Sequence, residues 1–167
     1  MFSSHPTRAL KFAAALGLAL AAAACSSDKS LDGSGAGLAG GAATPGSAQD
    51  FVVNVGDRVF FESDSSDLTP TATGTLDRQA GWLQRYGRYS FLIEGHADER
   101  GTREYNYALG ARRAQAVRDY LASRGIDGSR VRTVSYGKER PVQVCNDISC
   151  WSQNRRAVTV LNGGAGS

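Results

Sequence analysis

The sequence predicts an α+β domain, a β-α-β-α-β-β sandwich in which two main helices pack on a small mixed sheet. Three observations carry this. The composition changes at Phe51 from Gly, Ala and Ser to runs rich in Val and Phe. Two later segments repeat apolar residues at helical spacing, each closed by a glycine. Short β-rich runs separate and follow those segments.

Each element has a local reason. Phe51-Val52-Val53-Asn54-Val55 and Arg58-Val59-Phe60-Phe61 read as extended, with Gly56-Asp57 as the turn between them. Thr69-Pro70 predicts an N-cap followed by proline at the first helical position. Leu76, Ala80 and Leu83 mark the buried face of that helix, which Gly87 ends. Tyr89 to Glu94 reads as a core strand, and Gly95 to Thr102 as a polar loop. The second helix is expected over about Arg103 to Arg124, its inner face traced by Tyr105, Leu109, Arg112, Ala116, Tyr120, Val117 and Leu121, with Gly125 as its stop. Val131 to Tyr136 and Arg156 to Leu161 supply the remaining strands. The predicted domain covers 51–162, large enough for one core.

The N-terminus reads as an export signal over residues 1–24. His5, Arg8 and Lys11 form a polar, basic start, and Phe12 to Ala24 is an unbroken run of apolar residues and glycine. That run is too short for a span of roughly 20 residues and suits a signal-peptide core. Ala22-Ala23-Ala24-Cys25 resembles the lipobox of bacterial lipoproteins, although that pattern usually has Leu where Ala22 stands. The resemblance implies acylation of Cys25, and Ser26 after it implies sorting to the outer membrane. The same residues satisfy a small-x-small cleavage site, which leaves a soluble exported protein as the alternative. Residues 25–50 are rich in Gly, Ala and Ser and are expected to be a flexible tether, roughly 25–30 Å long as a coil and roughly 80 Å when extended. The tail at 163–167 is expected to be disordered.

Charge narrows the function classes. The formal charge of the 167-residue chain is +3; loss of Arg8 and Lys11, with no Asp or Glu before Cys25, takes it to +1. So neutral a chain has little electrostatic pull on nucleic acid, and none is expected as a partner. The informative stretch is Gly95-His96-Ala97-Asp98-Glu99-Arg100-Gly101, followed by Asn106, Leu109, Arg113, Ala114, Val117 and Leu121. Asp98 and Arg113 are spaced so that a loop and two helical turns bring them together. One acid and one guanidinium a few ångströms apart form a receptor for a zwitterion, because the Arg fork takes two carboxylate oxygens in a plane. The other reading of that spacing is an Asp98–Arg113 pair at the surface.

Asn106-x-x-Leu109-Gly110-x-x-Arg113-Ala114-x-x-Val117-x-x-x-Leu121 resembles the signature of the OmpA-like peptidoglycan-binding domain family, and Gly95-His96-Ala97-Asp98 is similar to its ligand loop. The stretches at 60–70, 94–102, 134–141 and 154–158 resemble the lipid-anchored, wall-associated members of that family. The likeness covers about 51–162. It implies non-covalent grip on the diaminopimelate of peptidoglycan stem peptides, tethering the outer membrane to the wall and supporting envelope integrity and constriction at division. Asp98 is then the acid that takes the ammonium and Arg113 the arginine that takes a carboxylate. Backbone amides around Asp67 and Leu68 help hold the ligand, with Thr69 and Pro70 at a helix start, and Asn106 and Leu109 line or support the pocket. The implied partners are peptidoglycan, outer-membrane lipid through Cys25 and a periplasmic TolB-type β-propeller that shares the wall-binding surface.

Catalysis and cofactors are not expected. His96 lacks the companions a metal site needs and is read as orienting its loop through hydrogen bonds. Asp98 and Glu99 are adjacent and have no matching carboxylate across a cleft, and Ser135 lacks a triad context. A peptidoglycan hydrolase is the competing class, and a wall-binding flagellar stator subunit the competing family member, which needs a transmembrane helix. Cys145 and Cys150 are expected to bond in an oxidising periplasm, a Cys-x4-Cys metal site being the alternative.

Overall fold

The computed structural model describes residues 43–162. The expectations for the export signal, Cys25, the tether up to residue 42 and the tail at 163–167 lie outside the described residues. The elements are α1 (Ala48–Asp50), a π-helical turn (Phe51–Val55), β1 (Arg58–Phe60), α2 (Pro70–Arg85), β2 (Ser90–His96), α3 (Arg103–Ser123), a 3-10 turn (Gly128–Arg130), β3 (Val131–Gly137), α4 (Ile148–Asn154) and β4 (Arg156–Asn162).

The four strands lie in the order β1-β4-β2-β3. β4 is antiparallel to both β1 and β2, and β2 and β3 are parallel. A parallel pair needs a crossover, and α3 supplies it. The ladder between β2 and β3 slips between Gly95 and His96: Gly95 faces Ser135, but His96 faces Gly137. The unmatched residue makes a bulge where β2 runs out into the loop carrying Asp98.

The core joins Leu76, Ala80 and Leu83 of α2, Phe91 and Ile93 of β2, Ala114, Val117 and Leu121 of α3, and Val59, Val131 and Ala157 of the sheet. Full burial of each large apolar side chain stabilises by about 1.5–3 kcal/mol. Both helix starts have the expected chemistry. Thr69 Oγ1 accepts from Ala72 N–H at 3.2 Å, and Thr102 Oγ1 from Tyr105 N–H at 3.2 Å.

Three expectations are corrected. Phe51–Val55 is a π-helical turn rather than a strand. Its Val52 and Val53 are exposed and pair with nothing in the sheet, while Phe51 is buried against Trp82, ring centroids 4.9 Å apart. Ser47 caps the preceding turn, and Asp50 Oδ2 accepts both Trp82 Nε1–H and Gly46 N–H at 2.8 Å, so a helical anchor overrides the β-branched run. Packed structure therefore reaches back before residue 51 to Gly46, whose carbonyl accepts from Tyr89 Oη at 2.8 Å and Arg88 Nη2 at 2.6 Å. Second, the inner face of α3 runs through Asn106, Leu109, Gly110, Arg113, Ala114, Val117 and Leu121, whereas Tyr105 and Arg112 are exposed. The stripe is rotated because two of its members are polar, which an apolar period cannot register. Third, the loop between the last two strands contains α4, capped by Asp147, whose Oδ1 accepts from Ser149 N–H at 2.8 Å. Cys145 and Cys150 are disulfide-bonded across its start.

The crossing of α3 over β2 is unusually close. A Cβ on Gly95 would lie 1.8 Å from the Gly110 carbonyl oxygen, so no side chain fits there. Gly95→Ala is therefore expected to destabilise the domain by about 3 kcal/mol or more, because both colliding groups are backbone. Gly81→Ala, at a helical position with nothing within 4 Å of its Cβ, is expected to stabilise by about 0.5–1 kcal/mol. Urea unfolding of the two variants checks both values.

Candidate functional site

The loop from Ala97 to Gly101 is fastened at nearly every residue. Ala97 N–H donates to Gly137 O at 2.8 Å. Asn106, buried on α3, donates from Nδ2 to Arg100 O at 2.7 Å. Lys138 Nζ donates to Gly101 O at 2.7 Å and Glu99 O at 3.2 Å. Gly101 makes the turn into α3 with φ of 88°, a conformation open to glycine. The loop is thereby preorganised before any ligand arrives.

Arg113 is completely buried and ties two segments, the turn at 62–65 and the end of β2, to its own helix. Its Nε donates to Ser65 O at 2.8 Å, Nη1 to His96 O at 2.8 Å and Nη2 to Glu62 O at 3.1 Å. The guanidinium lies 5.2 Å from the centre of the Phe61 ring. Burial, reinforced by the nearby Arg155 cation, pulls its pKa down to about 10, so it stays charged at neutral pH. Only three of its five N–H groups are taken by these carbonyls.

Asp98 is also buried, yet it does not pair with Arg113. Its Oδ1 accepts from Arg100 N–H and Arg100 Nε, both at 3.2 Å. Its Oδ2 accepts from Arg100 Nη2 at 2.7 Å and Arg155 Nη1 at 3.3 Å. Burial pushes the carboxyl pKa up, but the hydrogen bonds and charge of Arg100, with Arg155, outweigh it and hold Asp98 below the usual carboxylate value. Arg155 is itself fixed by Nε donating to Phe61 O at 3.0 Å.

Asp98 and Arg113 line one cavity of about 270 Å³, together with Ser63, Asp64, Arg100, Gly101, Tyr105, Asn106 and Leu109. Of the residues expected from sequence, Asp98, Arg113, Asn106 and Leu109 are thus brought together. Asp67 and Leu68 stand apart from this lining. The Asp67 amide donates to Ser65 Oγ at 2.9 Å, and Leu68 packs against the core. The start of α2 also faces elsewhere, Thr69 lining a separate groove along β1. Sequence reasoning passed over Arg100, Arg155, Ser63 and Asp64. The only signal for Arg100 was its place beside Asp98; no local pattern links Arg155 to a loop 57 residues away.

Asp64 has φ of 57°, rare for a residue with a side chain, and its Oδ1 accepts from the Tyr105 hydroxyl. Among the described residues no cluster of His, Cys, Asp and Glu is arranged to hold a metal ion, and no helix is long and apolar enough to cross a membrane.

His96 positions the loop by a different means from the one expected. Neither ring nitrogen has a hydrogen-bond partner; the backbone carbonyl is the group that engages Arg113. The ring is 2% exposed, with its centroid 5.6 Å from that of Tyr136. Burial, then the cations of Arg156, Arg140 and Arg58, lowers its pKa to about 4. Glu94 Oε2 lies 3.6 Å from Nε2, but a neutral imidazole makes no ion pair with it.

A buried acid and a buried guanidinium opening on one loop–helix cavity, on a four-stranded frame, define a small α+β module with a charged cavity. A family model described as the OmpA family matches residues 60–155, and the chain belongs to that family. It is 68% identical over 155 residues to the peptidoglycan-associated lipoprotein of Rhizobium meliloti (strain 1021), covering 92% of this chain and 88% of that protein. To the peptidoglycan-associated lipoprotein of Pseudomonas aeruginosa PAO1 it is 46% identical, covering 88% of this chain and 95% of the other. The crystal structure of the peptidoglycan-associated lipoprotein from Burkholderia pseudomallei superposes with a TM-score of 0.65 at 36% identity, over 70% of this chain and 100% of that one. The C-terminal domain of Helicobacter pylori MotB shares the fold, at 22% identity and a TM-score of 0.61, over 65% of this chain and 86% of the other. The family and the α+β fold expected from the motifs are the ones found.

Titration should separate the two buried groups. The folded pKa of His96, about 4, lies below its ordinary value of 6.5, so the unfolded chain binds more protons between them. The stability linked to neutral His96 is complete above about pH 6.5 and is lost as pH falls towards 4, by up to about 3 kcal/mol. The Asp98 contribution is present above its ordinary value near 3.8 and disappears as pH falls through its lower folded value. Denaturant unfolding from pH 7 to 4 is expected to show the loss in wild type, and His96→Phe is expected to flatten it.

Proposed function

We propose that this chain is an outer-membrane lipoprotein that binds the diaminopimelate of peptidoglycan stem peptides non-covalently and ties the outer membrane to the cell wall. The observation that carries this reading is the shared cavity of Asp98 and Arg113. Diaminopimelate in a stem peptide keeps a free ammonium and a carboxylate on one carbon. The Asp98 carboxylate suits the ammonium, and the Arg113 N–H groups not bound to carbonyls suit the carboxylate. Both charges are already buried and held in place by other groups of the chain, so neither side chain has to be ordered from solvent. Asn106 and Leu109 shape the wall between them.

The wider role rests on kinship with peptidoglycan-associated lipoproteins. Acylation of Cys25 is the anchor, and the glycine-rich segment after it the tether. The module works within the Tol-Pal system, where a periplasmic TolB-type β-propeller competes with the wall for one surface, supporting envelope integrity and outer-membrane constriction at division. It binds without cutting.

Sedimentation with purified wall tests the site. Asp98→Asn is expected to weaken binding by about 2–5 kcal/mol, because the ligand ammonium loses its acid and Arg155 remains as a buried cation without one. Arg113→Lys keeps a cation but loses the planar fork that reaches three carbonyls, so it is expected to weaken both binding and the fold, and its sedimentation is read only where urea unfolding shows it folded. Undiminished sedimentation of both folded variants refutes the assignment. Soluble fragments released from the wall by the wild type would point to hydrolysis instead.

A further inference from the structure

The carboxylate of Asp98 is already saturated. A carboxylate offers about four lone-pair sites, and four donors occupy them: Arg100 N–H and Nε on Oδ1, Arg100 Nη2 and Arg155 Nη1 on Oδ2. A ligand ammonium therefore finds no acceptor on Asp98 unless a donor leaves. Arg155 cannot easily leave, since its side chain is 6% exposed and tied to Phe61 O. The Arg100 amide belongs to a loop pinned by Asn106 and Lys138. The Arg100 side chain is different. It is 43% exposed, and beyond Asp98 it bonds only the exposed Ser63 Oγ, at 2.8 Å.

A resting place for it is built beside the cavity. The Arg100 guanidinium carbon lies 4.4 Å from the centre of the Trp151 ring. Trp151 is fixed in turn, its Nε1–H donating to Glu99 Oε1 at 2.7 Å. It stands on α4 next to Cys150, whose disulfide to Cys145 holds the start of that helix. An indole face with a carboxylate at its edge is a favourable seat for a displaced guanidinium.

We propose that the Arg100 side chain is an internal stand-in for the ligand ammonium, occupying Asp98 until an ammonium-bearing ligand displaces it from that carboxylate and leaves it on the Trp151 face it already touches, beside Glu99. This rests on the reading of Asp98 as the ammonium acceptor. Release of Nε and Nη2 frees one lone pair on each oxygen, which is the space a primary ammonium needs. Self-occupation filters ligands, because only a cation replaces the cation that leaves; a carboxylate-only end group gains nothing from Arg113 that offsets Asp98 losing Arg100. Arg100 and Trp151 are thus positioning and specificity residues, acting through Asp98.

The test uses full-length protein and a soluble muropeptide ending in diaminopimelate with free ammonium and carboxylate. If Arg100 holds Asp98 in about nine-tenths of molecules, Arg100→Met is expected to bind about tenfold tighter, while Arg100→Lys stays near wild type. In the ¹⁵N spectrum the Trp151 indole N–H is expected to shift on ligand addition while that of Trp82 does not, and the shift is expected to vanish in Arg100→Met. Equal or weaker binding by Arg100→Met, with Asp98→Asn inactive, overturns the stand-in and makes Arg100 part of the ligand grip or a bystander. A wild type that ignores the muropeptide, or an Asp98→Asn variant that binds it as well as wild type, overturns the functional reading and this inference together.

Discussion

The structure depends on one buried cation. Arg113 stands on α3 and gives donors to two other segments: the turn before α2 at Glu62 and Ser65, and the end of β2 at His96. A buried guanidinium is tolerated only when its hydrogen bonds are made. The carbonyls gain from it in turn, Glu62 O accepting from Arg113 as well as from Ser65 N–H. The positive charge that the proposed function assigns to a ligand carboxylate is therefore the same group that closes the fold around it. Structure and recognition are linked there more tightly than at Asp98, whose partners are other side chains.

Around that cation the molecule concentrates arginines. Arg100 lines the same cavity and is balanced by Asp98, and Arg155 is balanced by Asp98 and Phe61 O. At His96 burial, then a different set of cations, Arg156, Arg140 and Arg58, holds the ring neutral with both nitrogens unpaired. Keeping a ring uncharged there spares the sheet another cation where Asp98 and Glu94 are the neighbouring acids.

Much of the fold was legible because local chemistry and global packing agree. Thr69-Pro70 caps α2, the Leu76, Ala80 and Leu83 stripe is buried, and Phe91 and Ile93 lie in the core. Reading failed where polarity or distance decided the outcome. The α3 stripe was mis-phased because Asn106 and Arg113 are buried polar residues serving the ligand loop. Phe51–Val55 looked like a strand because nothing local announces that Asp50 and Phe51 dock on Trp82, far along the chain. In the site, Asp98 and Arg113 were found by their chemistry and motif. Their mutual pairing, the simpler reading of the spacing, is replaced by partners at Arg100 and Arg155 that no periodicity signals.

The clasp at Gly46 has a mechanical meaning. Its carbonyl is gripped by Arg88 and Tyr89, immediately before β2 begins, and β2 ends in the loop that presents Asp98. A pull arriving from the N-terminal side therefore enters the domain at one end of a central strand and is delivered to the other end. β2 is laced on both flanks, by β4 and by β3. Tension along it is shared as shear across two ladders instead of opening bonds one at a time, as at a peeled edge.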